Sequence, residues 1–314
     1  MRKQNILVLV LLFCCLLFPS CVNKMAMNMV ANALTGDGGT DVFTGDPDPQ
    51  LVGDAIPFTI KMYEALLSQN PTHQGLMLTT GSLFIMYANA FVQGPAEMFP
   101  HYEWQERQAA LTRAKQLYLR GYEILYNALE SKYRGFKQAV ANDDTRESFL
   151  GRIKKNDVDL LYWAVAGGLS AYSIDILDFE LSTHVPEWNA MIHRAYTLNP
   201  NYGGWALNEF FIIFYASLPE VLGGDMELAK YHFDQAVEKS RGTSTGAYLS
   251  YAQFISVPEQ DYDSYKYNLE KVLEINPDDD IPTRLVNVIN QQKARWLLDN
   301  AWLSFSFLPI PGDF

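Results

Sequence analysis

The chain has 314 residues, 48% hydrophobic and 13% aromatic, enough for one large core or one repeat array. Its formal charge of −12, with no Lys/Arg run, argues against nucleic acid as a partner. The three cysteines are Cys14, Cys15 and Cys21, so no internal disulfide framework is available to the rest of the chain.

The first segment reads as a targeting signal. Arg2 and Lys3 supply a positive start, and Ile6 to Phe18 supply an apolar run too short to span a bilayer comfortably. Pro19-Ser20-Cys21 follows, a small residue directly before a cysteine, as in a bacterial lipobox with Phe18 and Pro19 at relaxed positions. Residues 1–20 are therefore expected to be a lipoprotein signal peptide and Cys21 the lipidated residue. Residues 21–54 then form a lipidated N-terminus and tether, rich in Gly, Asp and Pro between Thr35 and Pro49. The tether aspartates lack the spacing of a calcium loop.

From Ala55 the pattern is helical, and residues 55–314 are assigned to one helical domain. Ile56, Ile60, Tyr63, Leu66 and Leu67 make the apolar face of a lead-in helix that ends at Asn70-Pro71. Gln74 to Val92 follows, with a break at Gly94-Pro95, then Glu103 to Leu129. Residues 133–155 read as polar and irregular. Further helices run over Asp157–Tyr172, Val185–Leu198, Trp205–Leu218, Met226–Lys239, Ala247–Ile255, Tyr262–Ile275 and Pro282–Phe305. No run alternates as a strand over several elements.

The ending Asn-Pro recurs at Asn70-Pro71, Asn199-Pro200 and Asn276-Pro277, where Asn closes a helix and Pro prevents its continuation. Ala229-x3-Phe233-x2-Ala236 fits the second helix of a tetratricopeptide (TPR) repeat, in which small residues let two helices approach. Ala114-x3-Tyr118-x2-Gly121, Trp188-x3-Ile192-x2-Ala195 and Tyr265-x3-Leu269-x2-Val272 keep the spacing with substitutions, and Trp163-x2-Ala166-Gly167 fits a first helix. The expected fold is all-α, with about four TPR-like hairpins at 73–132, 156–199, 203–240 and 244–276 in an irregular superhelix. A lead-in helix precedes them and a C-terminal helix caps the array.

Motifs for chemistry are lacking. The five histidines form no His-Glu-x-x-His, and no nucleophile elbow, P-loop or dinucleotide fingerprint occurs. No cofactor or metal is implied, and no enzyme is expected; a buried carboxylate such as Asp157 or Glu209 stands alone, without a nucleophile–base pair. Gly167-Gly168 reads as close packing, and Asp278-Asp279-Asp280 as charge suited to a helix start.

The first helices carry a surplus of apolar side chains. Phe84, Tyr87 and Phe91 form one cluster, Tyr162 and Trp163 another, and Trp205, Phe211, Tyr215 and Tyr248 lie in two more. Phe210 to Tyr215 is apolar on every face, so it must be covered all round. These nine residues are the candidate lining of an apolar ligand site, against the alternative that all are core.

Taken together, several stretches resemble the TatT family, the T component of TRAP-transporter-associated lipoproteins. They are Cys21, Val42-Phe43-Thr44-Gly45-Asp46, Asp48 to Phe58, Tyr63 to Leu67 before Asn70-Pro71, Arg113 to Tyr118, and Asp157 to Trp163. That resemblance implies a periplasmic lipoprotein of TPR-like hairpins, a homotrimer, anchored to a bacterial membrane by its N-terminal lipid. It implies a scaffold for a periplasmic substrate-binding P component, linked indirectly to a TRAP-type permease, and an apolar pore that binds or passes a hydrophobic, lipid-like ligand. The alternative is a TPR assembly scaffold with no small-molecule ligand.

Overall fold

The structure, a computed structural model, describes residues 41–100 and 102–309. The signal segment, Cys21 and most of the expected tether lie outside the described residues. Among the described residues there are helices and turns and no strand.

A short helix α1 (Asp41–Thr44) leads to α2 (Pro49–Gln69). The lead-in helix thus starts at Pro49 rather than Ala55. Asp48 is the reason: its carboxylate accepts the Gln50 and Leu51 N–H groups at 3.0 and 3.1 Å, and Pro49 occupies the first turn, where its missing N–H costs nothing. Gly53 and Pro57 hide this start from a propensity reading. Gly53 is a packing necessity, since a Cβ there would lie 2.7 Å from the Phe91 ring.

α3 (Gln74–Ala88) is capped by His73, whose Nδ1 accepts the Leu76 N–H at 3.1 Å. Gly94-Pro95 does not break it. The chain passes through a π-turn, Asn89–Gln93, into α4 (Gly94–Glu97). Widening the helix by one residue lets Pro95 enter without a donor where none is required. The span Gln74–Glu97 is apolar and long enough to cross a bilayer, but over half of its apolar window is buried inside the protein.

α3 pairs with α5 (Trp104–Lys132) in antiparallel fashion: Gln74 Nε2 donates to Ser131 Oγ at 2.7 Å, and Arg113 lies over the Tyr87 ring. Gly81 and Gly121 make the crossing close, because a Cβ at Gly121 would come within 2.7 Å of the Gly81 carbonyl. Residues 133–155 are not irregular throughout. They contain α6 (Phe136–Ala141) and α7 (Asp143–Leu150), two helices too short for a periodic signal, pinned by buried Phe136, Val140, Leu150 and Ile153.

α8 (Val158–Ile174) runs back along α5, tied by Lys132 to Asp157 at one end and Lys115 to Asp175 at the other. α9 (Phe179–Thr183) and α10 (Val185–Leu198) follow. α11 (Ala206–Ser217) and α12 (Met226–Ser240) make the next antiparallel pair, with Asp225 N–H on Tyr215 O at 2.9 Å and His232 Nδ1 against Asn208 Oδ1 at 3.1 Å. α13 (Thr245–Tyr251) continues through a second π-turn, Ala252–Ser256, and α14 (Tyr262–Glu274) and α15 (Arg284–Asp299) complete the chain. The four expected hairpins correspond to α3/α5, α8/α10, α11/α12 and α13/α14. The spaced positions of their second helices are fully buried in three cases, including Trp188, Ile192, Ala195, Tyr265, Leu269 and Val272. In α12, Ala229 and Ala236 are buried and Phe233 half-buried.

The ends of the array meet. Leu285 of α15 packs with Val52, Ile56 and Ile60 of α2. Arg284 donates to the Gly45 carbonyl at 3.1 Å, and Lys293 pairs with Glu97 at 2.7 Å. The first helices form a connected row inside this closure. Ile85 of α3 meets Gly167 of α8, Tyr162 of α8 meets Phe210 of α11, Glu209 of α11 meets Gly246 of α13, and Thr245 of α13 hydrogen-bonds Asn287 of α15.

Candidate functional site

Helix α11 shows how an all-apolar helix divides its faces. Phe211 is 1% exposed and stacks on His232 at 4.8 Å between centroids and on Tyr215 at 5.3 Å. Its neighbours Ile212 and Phe214 are buried as well. This face belongs to the α11/α12 interface. Phe210, one residue and about 100° away, is half-buried and turns to Tyr162.

The nine candidate residues divide the same way. Phe84, Phe211 and Tyr215 lie in packing between helices: Phe84 is 1% exposed under the Arg120 guanidinium, and Tyr215 donates or accepts with His193 Nε2 at 2.9 Å. Tyr87, Phe91, Tyr162, Trp163, Trp205 and Tyr248 are half-buried. Two of these groups are brought together. Tyr87 stacks on Phe91 at 5.9 Å. Tyr162 meets Trp163 at 5.3 Å and the ring of Tyr202 at 5.0 Å. Tyr248 stands apart, on Phe233.

Sequence reasoning missed Tyr202, Phe210, Asp159 and Ser244 in this neighbourhood. Tyr202 lies just beyond the Asn199-Pro200 ending, where no helical period marks its side. Burial raises the Asp159 carboxyl pKa, and the nearby Tyr202 hydroxyl opposes the shift. Glu209 accepts from the Ser244 hydroxyl, whose oxygen in turn accepts the Ala247 N–H at 3.0 Å, and burial again raises the Glu209 pKa. It sits at the start of α13, where a Cβ on Gly246 would be 2.8 Å from its Oε1. Burial in an aromatic setting is the leading cause at both carboxyls.

Tyr162 and Glu209 each keep some accessible surface and lie in a desolvated, aromatic-rich setting. Together with Trp163, Tyr202 and Phe210 they make a half-buried aromatic surface. Its chemistry is aromatic with a few neutral polar groups, the composition of small-molecule sites. It has no nucleophile with a base beside it, and no group of three or more His, Cys, Asp or Glu among the described residues is placed to hold a metal.

Behind this surface, His232 is 5% exposed and neutral; burial lowers its pKa to about 4. A histidine depressed from its ordinary value near 6.5 stabilises the fold above that value and loses the contribution as pH falls toward 4. The expected loss is about 3 kcal/mol at one proton taken up on unfolding. Urea unfolding of the native chain and His232→Gln between pH 6.5 and 4 should show the stability gap between them narrowing; a constant gap would mean His232 titrates normally.

Comparison with known proteins bears on the chain as a whole. A family model described as the TRAP transporter T-component matches residues 45–305. A protein of Treponema pallidum (strain Nichols), itself described as uncharacterized, is 33% identical over 305 residues, covering 90% of this chain and 94% of its own.

Proposed function

The chain belongs to the TRAP transporter T-component family, and from that premise we propose a lipid-anchored scaffold that docks a periplasmic substrate-binding P component and carries an apolar ligand through its interior. As a T component it is associated with a transport system of the bacterial envelope. The finer assignments are ours: a periplasmic lipoprotein held at Cys21, a lipidated terminus and tether before α1, and a TPR-like helical array from α2 onward. The ligand site is the interior face bearing Tyr162, Trp163 and Trp205, with Tyr87 and Phe91 farther along the same row of first helices and Tyr248 on the next helix round.

One observation supports the ligand reading: Tyr162, Trp163, Tyr202 and Phe210 gather their rings across α8, α11 and the turn before α11, and each keeps accessible surface. Aromatic surface left in water is costly, at roughly 1.5–3 kcal/mol for each large side chain, so an apolar occupant is favoured there. This surface supplies no catalytic pair, which favours binding over turnover.

The full chain recovered from its own membranes is expected to retain an apolar small molecule under native mass spectrometry, and Cys21→Ala should move the protein to the soluble fraction. Protein that carries no such molecule in repeated preparations would leave a scaffold without a ligand. Membrane retention of Cys21→Ala after a salt wash would place the anchor elsewhere.

A further inference from the structure

The connection between α8 and α10 holds apolar side chains outward on a fixed turn. Asp178 N–H donates to Asp175 O at 3.1 Å, closing a turn whose central residues are Ile176 and Leu177. Such positions favour Gly, Pro, Asn or Asp, yet Ile176 is 65% and Leu177 88% exposed, and Phe179 next to them 82%. Lys115 of α5 reaches both corners of the turn, 2.8 Å from an oxygen of Asp175 and 2.8 Å from one of Asp178. Asp178 also caps α9 through the Leu181 N–H at 3.1 Å. The apolar side chains are therefore presented in place, and docking onto them forfeits little loop entropy.

The same end of the array adds to the patch. The α11–α12 connection lies beside the start of α10, since a Cβ at Gly223 would be 3.1 Å from Asn189 Nδ2, and it displays Val221 at 88% exposure. Trp104 opens α5, the helix that carries Lys115, and is also exposed. At the opposite end, in residues 133–157, 199–205 and 241–244, every aromatic and large aliphatic side chain is buried or half-buried. The apolar tips stand among acids, Glu103, Glu106, Glu180, Glu220, Asp225 and Glu227, while the basic residues of the three connecting stretches 102–107, 175–184 and 218–227 are Arg107 and His184, the latter turned to Glu187.

We propose that this end is a protein-docking surface, with Leu177 and Phe179 as its anchors, for a partner whose apolar pockets are rimmed by Lys and Arg side chains. Exposed aromatic and aliphatic groups on a rigid turn are the features of an interface centre, and the acidic surround selects a basic rim and speeds encounter. The same acids repel the anionic headgroups of a bilayer, which sets a membrane-inserting role aside. That the partner is the substrate-binding component rests on the reading above; the surface itself rests on the turn and its charges.

The test uses the full chain in its source bacterium with a benzophenone amino acid at Leu177 or, on a different face, at Lys266. Leu177 is expected to crosslink one protein, identified by mass spectrometry, and Lys266 is not. In parallel, Ile176→Ser/Leu177→Ser/Phe179→Ser should bind the purified substrate-binding component at least about thirtyfold more weakly, with an unchanged thermal midpoint, and the native chain should bind it more weakly as salt rises. Lipid adducts at Leu177, no crosslink there, or equal binding by the triple variant would overturn the proposal. A crosslink at Leu177 to a different protein with a basic docking face would uphold the surface and remove the substrate-binding component from the proposed function.

Discussion

Trp188→Ala is expected to destabilise the protein by about 3–5 kcal/mol, as for other fully buried large aromatics. Trp188 occupies the position in α10 where paired helices ordinarily place a small residue. Its indole is fully buried, meets the Tyr122 ring edge-on at 5.7 Å and lies over His184 at 5.8 Å. The space it fills exists because α8 has glycine opposite: a Cβ at Gly168 would come within 2.5 Å of Trp188 Cε2. Large and small have exchanged helices. Removing the indole leaves a void that a glycine cannot fill, and adding a side chain at Gly168 forces a rigid ring to move. Gly168→Val should therefore destabilise by itself, while Gly168→Val with Trp188→Ala should cost less than the sum of the two. Urea midpoints of the three variants measure this. Strictly additive losses would mean that the two positions do not share one space.

That exchange shows what a sequence can and cannot disclose. The Asn-Pro endings and the 3.6-residue period located the four hairpins, because caps and apolar stripes are local signals. The partnership of Gly168 with Trp188 is not local; the two residues stand 20 positions apart and only the fold brings them together. The early start of α2 was masked by Gly53 and Pro57, although Asp48-Pro49 carries a sound start signal. Aromatic density in the sequence marked α3, α8 and α11 and could not sort their faces. Phe210 and Phe211 are equally apolar, and which of them is sealed depends on where α8 and α12 lie. The exposed turn at Ile176-Leu177 went unread for a related reason: apolar residues are taken as buried unless the structure shows them outside.

Tyr162→Ala and Phe211→Ala are expected to separate the aromatic surface from the core. Phe211 is sealed between Tyr215, His232 and Tyr196, so its truncation should lower stability by about 3–5 kcal/mol. Tyr162 touches Trp163, Tyr202 and Phe210 but keeps accessible surface, so its truncation removes less closed packing than truncation of a sealed ring. Its cost should be the smaller of the two. Binding should show the reverse order. An apolar fluorescent probe titrated into the full chain should lose about tenfold or more in affinity with Tyr162→Ala, corresponding to at least about 1.4 kcal/mol of lost contact. Phe211→Ala, measured well below its melting temperature, should hold the probe nearly as the native chain does. Trp205→Ala tests the same surface from the start of the next helix, beside Glu209. It should weaken the probe, with a smaller loss of stability than Phe211→Ala because the indole is half-buried. Equal probe binding in all three variants, with stability falling most for Tyr162→Ala, would make the interior a packed core and leave the protein a scaffold alone.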